Sequence, residues 1–432
     1  MKKIIFQLFL FIMFCVTNNL FAQSIDNLIN VYEVERIEKI LSSDSMQGRK
    51  IFTPAIDKAA DFIASEFKNN SLQYFQELNS YRQEFSMVKP KFISAEGTFD
   101  GEQLVSKDII AFTAQAHLAI NNDSGYKKIV LPADSNFIGD ALLYIESDQN
   151  YLLIVAPGNV NNFNRLKRYK RETFKKDNSV VLVLSGVDPK NFALSITHEI
   201  NELALANVIG ILPGKSKKDE YVIFSAHYDH LGIGKPDANG DSVYNGANDD
   251  AAGTTAVIML SKYFSQLKNN ERTLIFVAFT AEETGGFGSQ YFSKQINPNK
   301  VIAMFNIEMI GTESKWGANS AYITGYERSD FGKILQANLV DSKFHFEPDP
   351  YPKQNLFYRS DNATLAALGV PAHTVSTSKM EEPPNDEPNY HKQSDEIETL
   401  NMANMAEIIK AIAISSKTIV SAKETPSRVA KK

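Results

Sequence analysis

Residues 273–289, TLIFVAFTAEETGGFGS, place two carboxylates at the mouth of a buried strand. The run Leu274 to Phe279 is apolar at odd and even positions alike. That is the pattern of a strand covered on both faces, as in a parallel sheet. Glu282 and Glu283 follow at once, then Gly285, Gly286 and Gly288, which allow a tight turn. Adjacent like charges beside an apolar core repel each other and resist desolvation, so the pair needs a cation.

Working outward, NVIGILPG and EYVIFSA read as two strands around a turn at Gly214. AAGTTAVIMLSKYFSQLKNN reads as an amphipathic helix with Val257, Leu260, Phe264 and Leu267 on one face. VIAMFNIEMIG and GVPAHTVST are further strands, and NMANMAEIIKAIAISSKTIV is a closing helix. Near the start, Thr53 and Pro54 are an N-cap and first helical residue, with Ile56, Ala59, Ile63 and Phe67 on one face. Apolar strands alternating with helices predict an α/β fold, with a mainly parallel central sheet and helices on both faces. Between residues 92 and 200 the character changes. FISAEGTF, DALLYIE, YLLIVA and SVVLVLSGV read as short strands between polar loops, an inserted β-rich region without a cluster of chemically active residues. It divides the remainder into 23–91 and 201–420. The tail, 421–432, is polar and expected to fray.

Functional groups in such a sheet gather at the carboxyl ends of strands. EYVIFSA runs into His227 and Asp229, and NGANDD supplies Asp249 and Asp250 ahead of a helix. TLIFVAFTA reaches Glu282 and Glu283, VIAMFNI reaches Glu308, and NYHKQSD offers His391 and Asp395. Imidazole and carboxylate without thiolate suit zinc, with cobalt or manganese as alternatives. His230 reads as structural and His373 as packed near a strand end. His117, His198 and His345 lack supporting neighbours and read as ordinary residues.

The ordered motifs HYDHLG, NGANDDAAG, FTAEETGGFGS, FNIEMIG and YHKQSD resemble the secreted double-zinc aminopeptidases. Their wider family also holds glutamate carboxypeptidase-like enzymes and glutaminyl cyclases. The likeness spans roughly residues 205 to 418, and LSSDSMQGRKIFTPAIDKAADFIASEF resembles the family's opening helical region. The resemblance implies a zinc-exopeptidase-like fold and two Zn2+ ions. In it, His227 and Glu308 ligate one ion, Glu283 and His391 the other, and Asp249 bridges both. Glu308 stands where the family usually has aspartate. Glu282 is then the general base acting on a metal-bridging hydroxide, Tyr390 polarises the scissile carbonyl, and Asp229 orients the His227 imidazole. The implied activity is release of N-terminal residues from peptides. Alternatives are a glutaminyl cyclase-like transferase, a carboxypeptidase or dipeptidase of the same fold, and a binding protein with a decayed site.

The composition fits this reading. The 432 residues are 43% hydrophobic and 22% charged, as in a folded domain, and the formal charge of −6 gives no global basic field for nucleic acid. The local run Arg165 to Lys176 reads as a solvated face. Lys2 and Lys3, the apolar run IIFQLFLFIMFCV and the small residue Ala22 form a signal-peptide pattern covering residues 1–22. Cleavage would remove both lysines and the only cysteine, Cys15, taking the charge from −6 to −8. The expected product is exported, periplasmic or extracellular. It would have no disulfide and no stable membrane insertion.

Overall fold

A computed structural model describes residues 25–133, 135–168, 172–381 and 387–432. The expected signal peptide lies outside the described residues. Two compact units emerge: Met1–Glu84 with Leu205–Lys432, and Phe85–Ala204.

In the first unit, helices α1 (Val31–Leu41) and α2 (Pro54–Asn69) precede the sheet. Its strands are β1 (Phe192–Leu212, contributing its Val208–Leu212 end), β2 (Lys217–His227), β3 (Arg272–Phe279), β4 (Val301–Ile307), β5 (Ser320–Ile323), β6 (His345–Pro348) and β7 (Ala372–Ser376). Spatial order is β6-β5-β7-β4-β2-β3-β1. The central strands β3, β2, β4 and β7 are parallel, while β1 and β5 run antiparallel to their β3 and β7 neighbours.

Side chains alternate between two separate cores. Phe224, Phe276 and Phe305 stack on one face, with centroids 5.6 and 4.9 Å apart, within the core shared by α1, α2, α3 (Ala252–Leu267) and α5 (Met402–Ser415). Ile223, Ile275 and Met304 point the other way, towards Phe292 of α4 (Phe287–Gln295) and Leu365 of helix Asn362–Ala367. Burial on both faces explains why β3 has no polar alternation.

Three local expectations are revised. Helix α3 is buried on all sides from Ala252 to Ser261, because α1, α2 and the sheet enclose it. The Thr53 hydroxyl donates to Lys50 O at 2.7 Å instead of capping α2, so Pro54 carries that start. The tail docks: Arg428 donates to Val301 O, Lys432 N to Ala367 O, and Val429 joins the Phe292 core.

In the second unit, strands Ile109–Phe112, Val180–Leu184, Tyr151–Val155 and Lys127–Leu131 form a four-stranded sheet. DALLYIE, expected as a strand, lies in helix Phe137–Ile145. Phe137 and Ala141, one helical turn apart, bury against that sheet, and a short apolar run does not distinguish the two periods. A second helix, Val160–Leu166, packs on the same core.

Candidate metal centre and active site

The three adjacent parallel strands end side by side, with His227 opposite Phe279 in the register of β2 and β3. That alignment brings His227, the Glu282–Glu283 pair and Glu308 to one rim. Asp249 arrives from the irregular turn before α3, where the Asp249–Asp250 peptide is cis. Asp395 fixes this turn, its two carboxylate oxygens accepting from Asn248 N at 2.9 Å and Asp249 N at 3.0 Å. Asp250 accepts from Gly253 N and Met309 N, tying α3 to β4. Both aspartates therefore shape the rim, and neither joins a metal-ligand group among the described residues. From the opposite side, the buried Arg49 donates to the carbonyls of Leu41, Tyr228, Asn245 and Gly246.

Asp249 is the hub. Its Oδ1 lies 3.2 Å from His227 Nε2 and its Oδ2 lies 3.2 Å from His391 Nε2. One carboxylate thus faces two imidazoles through separate oxygens, the disposition a bridging ligand needs. His227, Asp249 and Glu308 have donor atoms within 4.8 Å of one another. The extra methylene of Glu308 does not take it out of the cluster, and its Oε2 has no hydrogen-bond partner. On the other side, Glu283 Oε2 lies 3.2 Å from His391 Nε2.

Charge follows position. Burial would raise the Asp249 carboxyl, but contacts with His227 and His391 hold it well below the usual range. Burial and Asp249 push Glu283 up, while His230 and His391 bring it below its ordinary value. Glu282, one residue earlier, is driven well above by burial and by Glu308, Asp361 and Glu283, against the opposing pull of His227. Burial would lower His391, but its contacts with Asp249 and Glu283 lift it to about 10. A buried carboxylate cluster edged by imidazoles suits divalent cations, for which the imidazoles give up their ring protons.

A cleft of about 580 Å³, counting space open to solvent, is lined by Asp249, Glu282, Glu308, Arg359, Tyr390 and His391 among others. The Tyr390 ring stacks on His391 with centroids 3.9 Å apart. Burial, then Asp249 and Glu283, raise its hydroxyl, which keeps it a proton donor.

Asp229 acts differently from the sequence expectation. Its backbone carbonyl accepts from His227 Nδ1 at 3.1 Å, while its carboxylate sits 3.8 Å away. The carboxylate accepts instead from Glu282 N at 3.0 Å. One residue thus orients the imidazole and anchors the Glu282 backbone. His373 is structural: Nδ1 donates to Thr324 O, Ser329 Oγ lies 2.7 Å from Nε2, and the ring stacks on Phe331.

His230 was missed. Its donor atom groups with Asp249 and Glu283 within 4.8 Å, and Nδ1 lies 2.8 Å from Glu283 Oε1. The sequence signal was the second histidine of HYDHLG, which falls just beyond the His227–Asp229 spacing.

Fold and site together define a class, an α/β domain whose strand ends carry a carboxylate–imidazole cluster with the donor set of a metal centre. Residues 207–415 match the profile of Peptidase family M28, which bears out the resemblance read from the motifs. A probable leucine aminopeptidase of Arthroderma benhamiae is 28% identical over 218 residues, 48% of this chain and 55% of that protein. A probable zinc metalloprotease of Pyrenophora teres f. teres is 32% identical over 109 residues, 25% of this chain and 23% of that protein. The chain thus spans about half or less of the length of these curated relatives. Two solved structures share the fold. BSAP, a zinc aminopeptidase from Bacillus subtilis, has a TM-score of 0.54 and 16% identity, covering 94% of this chain and 98% of that one. An aminopeptidase from Aneurinibacillus sp. strain AM-1 has 0.53 and 17%, covering 94% and 96%. The family match and the donor set together support Zn2+ as the cofactor.

Proposed function

We propose that the protein is an exported zinc-dependent exopeptidase, an aminopeptidase that removes N-terminal residues from peptides. The observation that carries this is the convergence of His227, Asp249, Glu308, Glu283 and His391 at one rim, beside a cleft lined by Asp249, Glu282, Glu308 and His391. His227 and Glu308 would hold one ion, Glu283 and His391 the other, with Asp249 between them. When bound, a pair of zinc ions lowers the pKa of water and stabilises negative charge developing on oxygen.

The chain's own residues supply the remainder. Glu282 is held by its backbone bond to Asp229. Its carboxylate takes a proton from the attacking water and returns it to the departing amine. Tyr390, fixed by its stack on His391, donates to the carbonyl oxygen as charge builds there. Asp395, Asp250 and Arg49 keep the Asp249 turn in place and so preorganise the centre.

The export reading rests on Lys2, Lys3, the apolar run and Ala22. Among the described residues no helix is long and apolar enough to cross a membrane. N-terminal sequencing of secreted material should begin at Gln23, and an intact Met1 on exported protein would contradict it.

The activity test is a mixed peptide library incubated with the protein, with and without chelator, and read by mass. Stepwise loss of N-terminal residues that stops on chelation is expected. Loss from carboxyl ends, or pyroglutamate formation on glutamine-initiated peptides without hydrolysis, would overturn the aminopeptidase assignment.

A further inference from the structure

The second histidine of HYDHLG has no structural duty that its surroundings explain. His230 is buried, with its side chain sealed from solvent. Neither ring nitrogen has a hydrogen-bond partner among the described residues, although buried imidazoles ordinarily satisfy theirs. Nδ1 nevertheless sits 2.8 Å from Glu283 Oε1 and 4.0 Å from Asp249 Oδ2. The Glu283 Oε1 atom is likewise without a hydrogen-bond partner. Two buried acceptor-capable atoms meeting closely without hydrogen-bond geometry are what a cation shared between them would require.

The ring's position is built in. His230 N donates to Arg49 O at 3.3 Å, in the same loop that Arg49 clamps with its guanidinium. Gly246 lies against the ring at φ +56°, and a Cβ there would come within 2.5 Å of the ring's Cγ and Cδ2. The glycine therefore leaves room for an imidazole facing Glu283 and Asp249. His391 approaches the same carboxylates from the solvent side, with its ring centroid 5.9 Å from that of His230.

We propose that His230 is a ligand of the ion held by Asp249, Glu283 and His391, giving that site a second imidazole from its buried side. The proposal rests on the metal-centre reading above. It makes the two sites unequal. The His230 site is closed by four protein donors; His230 and Glu283 lie off the cleft, which Asp249 and His391 line together with Glu308 of the other site. A site with three protein ligands keeps an open position and a fourth ligand closes it. Substrate exchange therefore belongs to the His227–Asp249–Glu308 ion, and the His230 ion is the tightly held one.

The test uses the full chain loaded with zinc or cobalt(II). Chelator competition should find two ions on the unmodified protein. His230→Asn should weaken the tighter ion about tenfold or more while leaving the weaker one in place. His230→Cys replaces one ligand type with another. Its cobalt form should gain a near-ultraviolet thiolate-to-metal absorption that the unmodified protein, whose only cysteine is Cys15, lacks. A folded His230→Cys protein carrying two cobalt ions without that band overturns the proposal. So does a His230→Asn protein with both affinities unchanged, which decides the matter if the cysteine variant fails to fold. Fewer than two ions on the unmodified protein would count against the two-ion centre itself and not against His230 specifically.

Discussion

Glu282 and Glu283 are neighbours in sequence with opposite electrostatic fates. Glu283 faces two imidazoles, and Glu282 faces Glu308 and Asp361. In the proposed mechanism the pair divides into a ligand and a base. Glu282→Gln is expected to keep full zinc content and lose turnover by roughly 10²–10⁴-fold, since only the proton acceptor is removed. Turnover within a few-fold of the unmodified protein would remove Glu282 from that role. Away from the centre, burial lowers His373 from 6.5 to about 4. Below pH 6.5 the unfolded chain protonates this ring while the folded one does not. Stability is therefore complete above pH 6.5 and falls as pH drops towards 4, by about 3 kcal/mol in total. His373→Gln should flatten that part of a denaturation-versus-pH curve relative to the unmodified protein. An unchanged slope would place the acid sensitivity elsewhere.

At the scale of elements, the site depends on turns held at both ends. Arg49 binds four carbonyls contributed by Leu41, Tyr228, Asn245 and Gly246, joining the segment after α1 to the β2 and α3 loops. Arg49→Met would leave those four acceptors buried without their donor. A loss of about 3–5 kcal/mol in urea unfolding is expected, with weaker metal retention. A change below about 1 kcal/mol would show the clamp to be incidental. The strands were legible because β2, β3 and β4 carry the apolar runs Tyr221–Phe224, Leu274–Phe279 and Val301–Phe305 and lead into carboxylates or imidazoles. The helix over DALLYIE was not, since nine residues with two buried anchors fit either period. Nor was the docking of 421–432, whose hold comes from scattered bonds made by Glu424, Thr425, Ser427, Arg428 and Lys432 and from buried Val429. The neighbourhood of His227, Asp249, Glu283, Glu308 and His391 was legible from motif order and family resemblance. The place of His230 was not, because only the fold shows that its ring turns towards Glu283.

At the scale of the molecule, metal and stability are coupled. Chelation leaves Asp249, Glu282, Glu283 and Glu308 buried against one another with imidazoles alone to balance them. Zinc removal should therefore lower Tm and its return restore it. Each site contributes about 2.7 kcal/mol when free zinc is one hundred times its Kd. Asp249→Ala should lose ions from both sites and abolish the zinc-dependent rise in Tm, because the shared ligand serves both. The unit Phe85–Ala204 has its own sheet and two cores, which gives it the makings of a separately packed body. The central claim is that residues distant in sequence hold two cations at one rim. Anomalous diffraction at the zinc edge from zinc-loaded crystals tests it most directly. Two peaks are predicted, one among His227, Asp249 and Glu308 and one among Asp249, Glu283, His230 and His391. A single peak, or none between these side chains at saturating zinc, would contradict the account.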